Sequence, residues 1–114
     1  MSKLNKASSV RRAIHPLGMR VVVKILKDED ITSSGLYLPE GSKEAKQQSF
    51  LAEVIEVASA FDEDTYEDEN ISGIPLGAMI LIPRNAGISI AWDEQLRIVE
   101  TKEVLAVVEE LGIN

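Results

Sequence analysis

The chain has 114 residues, a formal net charge of −7 and no cysteine. That length suits one domain with a modest core. The acidic balance argues against phosphate backbones and anionic membranes, and the missing cysteines exclude disulfides, thiolate nucleophiles and Cys-based zinc sites.

Hydrophobic residues make up 45% of the chain, enough for a folded globule, while aromatics are only 4%. The core is therefore expected to be Val, Ile, Leu and Ala. No apolar run approaches the roughly 20 residues that span a bilayer. Residues 1–12 carry Lys3, Lys6, Arg11 and Arg12 and no acid. They lack the apolar stretch of a secretory signal, so residues 1–13 read as a flexible polar arm, with a short organelle-targeting sequence as the other reading. Residues 14–114 then form the domain.

In chain order, Pro16 precedes a β-branched run over 20–26 that predicts a strand. Residues 27–49 form a long, mostly polar stretch punctuated by Ser33, Ser34, Gly35, Pro39 and Gly41, read as a mobile loop. A second strand is expected over 50–57. Residues 58–76 read as a weakly structured insert with the acids Asp62, Glu63, Asp64, Glu67, Asp68 and Glu69. A third strand is expected over 78–82. Ile88, Ile90 and Trp92 alternate with small residues, predicting a half-buried strand with Trp92 in the core. A turn at 93–95 and a returning strand over 96–99 follow. The last segment is ambiguous. Thr101 with Val104, Leu105, Val108 and Leu111 suits a helix, whereas the β-branched content suits a strand over 104–108. Together the short strands suggest an all-β fold, a small irregular barrel or sandwich.

Chemistry is scarce. A lone His15 beside Pro16 has neither metal-ligating company nor a nucleophile to activate, so it reads as a surface or turn histidine. The acidic cluster lacks EF-hand spacing and reads as a solvated loop rather than a Ca²⁺ site. No Gly-rich phosphate motif occurs. The chain is therefore expected not to be an enzyme and to hold no cofactor or metal.

One feature stands out. Leu36, Tyr37 and Leu38 form an apolar triplet inside the polar loop, between Gly35 and Pro39. It reads either as a short barrel-closing strand or as a recognition segment that orders on binding. Each buried anchor yields roughly 1.5–3 kcal/mol, whereas each ordered loop residue costs about 1–2 kcal/mol. Binding per copy is then weak, and such a segment works best when several copies engage a multivalent partner.

Residues 14–24, with Pro16, Leu17, Arg20 and Val21, resemble the opening strand of one known family. Residues 30–39 resemble its mobile loop. Gly77, Ile80 to Ile82 and Ala86 with Gly87 resemble its later strands, and residues 103–108 its closing strand. In this order, over about residues 14–110, the chain is similar to the 10-kDa co-chaperonin (GroES-like) family. It departs from the pattern at Met19, Ser34, Ala52, Ala78 and Asn85. Tyr37 is also bulkier than the usual middle residue of the tripeptide.

The resemblance implies an irregular β-barrel, with seven copies forming a dome and residues 58–76 in its roof. It implies that Leu36, Tyr37 and Leu38, with Gly35 and Ile31, enter an apolar groove on a GroEL-type chaperonin ring. It also implies that the C-terminal segment is a strand pairing with a neighbour, with Val21, Val22, Val104, Leu105 and Val107 at the subunit interface. ATP would be used by the ring, clients would fold inside the closed chamber, and the protein would be cytoplasmic or in an organelle matrix. The alternative is a standalone small β-barrel that binds peptide or nucleic acid. The charge and the missing aromatic platform argue against nucleic acid.

Overall fold

The computed structural model describes residues 10–26 and 48–112. The strands are β1 (Arg20–Ile25), β2 (Ser49–Val57), β3 (Ser59–Asp62), β4 (Glu67–Asn70), β5 (Met79–Pro83), β6 (Ile88–Ile90), β7 (Asp93–Glu100) and β8 (Ala106–Val108), with a 3₁₀ turn at Thr101–Glu103. The fold is all-β, as expected. Six strands form one antiparallel sheet in the order β6-β7-β1-β2-β5-β8, and β3 and β4 form a separate hairpin. Among the described residues the large sheet is not closed, and β6 and β8 are its edges.

The β-branched run of β1 sits centrally, with Val21 and Val23 on the core face and Val22 covered on the other between Arg20 and Lys24. Val21, Val22 and Val23 are all fully buried. Val21 and Val23 join Ala52, Val54, Ile74, Ile80, Ile82, Ala86 and Val99 in the core. On β2 and β5 the buried residues alternate with less buried ones, the pattern of strands with one face inward, and β7 contributes Val99. A bulge places an extra residue of β2 at Ile55, where the register on β1 shifts between Val22 and Val23.

The acidic insert differs from expectation. It is not irregular but a hairpin, with Ala60 opposite Glu69 and Phe61 opposite Asp68. Tyr66 closes its turn at φ 60°, and its N–H donates to the Asp62 carbonyl at 2.8 Å. The Phe61 and Tyr66 rings meet edge to face at 6.1 Å. Nearly every residue of the hairpin is exposed, so no apolar alternation marked it in the sequence.

The hairpin is tied down at its root. Asn70 Nδ2 donates to the Ile74 carbonyl at 2.7 Å, and Asn70 Oδ1 accepts from the Ser72 N–H and hydroxyl. Ser72 is fully buried, and its carbonyl accepts from Thr101 Oγ1 at 2.7 Å. Replacing Asn70 with alanine strands the Ser72 N–H, while the Ser72 hydroxyl keeps its bond to the Ile74 carbonyl at 3.1 Å. We expect a loss of about 1–3 kcal/mol, measured by urea unfolding, with Ser59→Ala on the exposed opposite strand near neutral.

Trp92 is also corrected. The strand ends at Ile90, which already pairs with Asp93. The expected turn at 93–95 is therefore the start of β7, and the real turn holds Ala91 and Trp92. Outside the pleat, Trp92 is 55% exposed rather than in the core.

Candidate partner-binding and assembly surfaces

Two places concern function: the point where residues 27–47 leave the sheet, and the free edge at β8. β1 and β2 are antiparallel neighbours. The Leu26 N–H donates to the Leu51 carbonyl at 3.0 Å, and the Arg84 N–H donates to the Gln48 carbonyl at 3.0 Å. The segment between Leu26 and Gln48 thus leaves and returns at one end of the sheet, although a hairpin needs only about two to five residues. Ile31, Gly35, Leu36, Tyr37 and Leu38 lie in that segment and outside the described residues.

Its anchorage is well built. Arg97 Nη1 donates to the carbonyls of Arg84 and Ala86 at 2.8 and 2.9 Å. The same guanidinium lies 5.1 Å from the Phe50 ring centroid. One side chain therefore staples the 84–87 turn to the first residues of β2. Nothing in the residue pattern marks this role, because Arg97 looks like an ordinary outward residue of an alternating strand.

At the other surface the C-terminal ambiguity resolves towards the strand. Glu103 Oε1 accepts from the Glu100 N–H at 3.0 Å, closing a single 3₁₀ turn. The chain then extends, and β8 pairs with β5 through Val107 opposite Ile80. Val104 packs against the core, whereas Leu105, just ahead of β8, and Val107, on it, are 61% and 58% exposed. Val21 and Val22 lie elsewhere. They are buried in a central strand whose two edges are bonded to β2 and β7, so they offer no free surface. The apolar residues left exposed ahead of β1 are Leu17 and Met19. His15 is exposed in the same segment.

Among the described residues no group of three or more His, Cys, Asp or Glu is arranged for a metal ion, and no helix is long and apolar enough to cross a membrane.

Comparison with known proteins identifies this architecture. The family model described as "Chaperonin 10 Kd subunit" matches residues 13–108. The chain belongs to the chaperonin 10 Kd subunit family. It is 36% identical over 97 residues to the Co-chaperonin GroES of Acetivibrio thermocellus, covering 84% of this chain and 98% of that protein. It is 34% identical over 98 residues to the Co-chaperonin GroES of Caldicellulosiruptor saccharolyticus, covering 85% and 98%. It is 36% identical over 98 residues to that of Clostridium acetobutylicum, with the same coverage. Within the chaperonin 10 Kd subunit family, the function class of this chain is co-chaperonin. The standalone binding-module reading finds no support.

Proposed function

We propose that the protein caps a GroEL-type chaperonin ring and helps enclose client proteins during ATP-dependent folding. Leu36, Tyr37 and Leu38, with Ile31 and Gly35 flanking, are the contact to the ring. The reading rests on family membership over residues 13–108, with this apolar triplet in the segment between Leu26 and Gln48. The ring hydrolyses ATP; the cap is no enzyme and needs no cofactor. The assembly is a homo-oligomer, a dome of seven copies. Leu105 and Val107 face the neighbouring copy's N-terminal segment, and many weak contacts act together on one ring. The protein works in the cytoplasm or an organelle matrix.

A pull-down on a GroEL-type ring with nucleotide tests this. Wild type is expected to be retained, and Leu36→Asp, which places a charge in an apolar groove, is expected to lose retention. Equal retention of the two proteins sinks the reading.

A further inference from the structure

We infer that Arg11 and Arg12 form an electrostatic clasp with Glu109 and Glu110 of a neighbouring copy, and that Trp92 holds Arg12 ready for it. The inference rests on the homo-oligomer proposed above and assigns the residues that set the register of its contact.

The chain carries two unpaired backbone edges. One is the outer edge of β8, which pairs with β5 on its other side. The second is the segment ahead of β1. Among the described residues, residues 11–16 belong to no strand and form no backbone hydrogen bond. Their path is nevertheless fixed. Pro16 is buried, Ile14 is half-buried, and Arg20 Nη1 donates to the Leu17 carbonyl at 2.8 Å. A held segment with unused N–H and C=O groups is a template for a strand from another chain.

The two edges match in length and in charge. Every pairing in the large sheet is antiparallel. Residues 11–16 and residues 105–110 are equally long. Set antiparallel over that full length, Ile14 stands opposite Val107, Arg12 opposite Glu109 and Arg11 opposite Glu110. Opposite charges across a strand pair stabilise it, and like charges destabilise it. A slip of one residue in either direction keeps one of the two ion pairs and breaks the other, so the clasp also fixes the register.

Charge also selects the partner. Each copy has a net charge of −7, so copies repel unless opposite charges meet where they touch. Arg11, Arg12, Glu109 and Glu110 are all exposed, and among the described residues none has an ion pair within its own copy. The Arg12 guanidinium carbon stands 4.9 Å from the Trp92 ring centroid, a cation–π distance. Stacking uses the face of the guanidinium and leaves its N–H groups free for a carboxylate. It also removes side-chain freedom that Arg12 otherwise loses on association.

The test measures native mass over a concentration series of the full chain, at roughly 0.05 and 0.5 M salt. Wild type is compared with Arg11→Glu/Arg12→Glu, Glu109→Arg/Glu110→Arg, the four changes combined, Trp92→Leu and Trp92→Phe. At the lower salt each reversal alone is expected to raise the concentration for half-assembly about tenfold or more, and the difference should narrow at the higher salt. The combined variant is expected to return to within about threefold of wild type. A mixture of the two singly reversed chains is expected to form assemblies holding both, which only contact between copies explains. Trp92→Leu, which keeps every charge, is expected to raise the half-assembly concentration about two- to fivefold, with Trp92→Phe near wild type. Reversed chains that assemble like wild type overturn the clasp, as does a failure of both the combined variant and the mixture to recover. An unchanged Trp92→Leu removes Trp92 from it. If Leu105→Asp/Val107→Asp separates the copies while the reversals do not, only the clasp fails. If wild type remains a single copy throughout, the assembly reading itself fails.

Discussion

Replacing Gly87 with alanine is expected to destabilise the fold by about 2–4 kcal/mol, a large share of what a domain of this size has. Two effects combine. The backbone sits at φ +74°, where a side chain is strained. An added Cβ would also lie 2.7 Å from the Ile98 carbonyl oxygen and 2.7 Å from Val99 Cγ2. Neither neighbour gives way easily, because Ile98 is ladder backbone paired with Ile88 and Val99 is fully buried. Gly77 is the control. Its φ is +87°, but an added Cβ meets nothing within 4 Å. Gly77→Ala should therefore show the strain alone, about 1 kcal/mol. Thermal unfolding followed by circular dichroism checks both. Midpoints lowered equally in the two variants would mean that the close approach is not felt.

A double change at the sheet edge is expected to act in the opposite manner, on assembly and not on folding. Leu105→Asp with Val107→Asp places two carboxylates where both native side chains are mostly exposed. Within one copy this should cost little, about 0.5 kcal/mol per site. In the proposed dome the same positions are buried against a neighbour. There each change forfeits roughly 1.5–3 kcal/mol of apolar burial and buries an unpaired charge. Native mass measurement should then find single copies in place of the assembly, with a thermal midpoint close to wild type for the isolated chain. An assembled mass retained by the variant would rule out β8 as a subunit contact.

The sheet was readable from the chain because its strands carry β-branched runs that only a pleated, buried surface explains. The first, second, third and returning strands fall within a few residues of β1, β2, β5 and β7. What escaped reading has particular causes. The β3–β4 hairpin buries no face, so period-2 hydrophobicity, the usual trace of a strand, is absent. Trp92 continued an alternation that the backbone abandons at Ile90, and no residue type marks that departure. Asp93 does announce a turn, since its Oδ1 accepts from the Gln95 N–H at 3.0 Å, but the turn-like residues lie inside β7. Val21 and Val22 were placed at a neighbour by the family resemblance, and the apolar strand pattern could not correct this because it reads the same at a centre or an edge. Only the pairing with β2 and β7 distinguishes the two. The apolar triplet Leu36, Tyr37 and Leu38 lies outside the described residues, and its reading rests on the sequence alone.

The bonds among Asn70, Ser72, Ile74 and Thr101 have a consequence for how this protein varies. They pin the hairpin to the body at its base, and the described hydrogen bonds of its outer half are its own. Length, charge and aromatic content beyond that base can therefore drift without disturbing the sheet, like foliage on a grafted stem. The graft itself is intolerant, because Thr101 belongs to the turn that feeds the edge strand. A change at the tip is expected to leave the sheet unaltered, whereas loss of the base is expected to loosen the hairpin and the Thr101–Glu103 turn together.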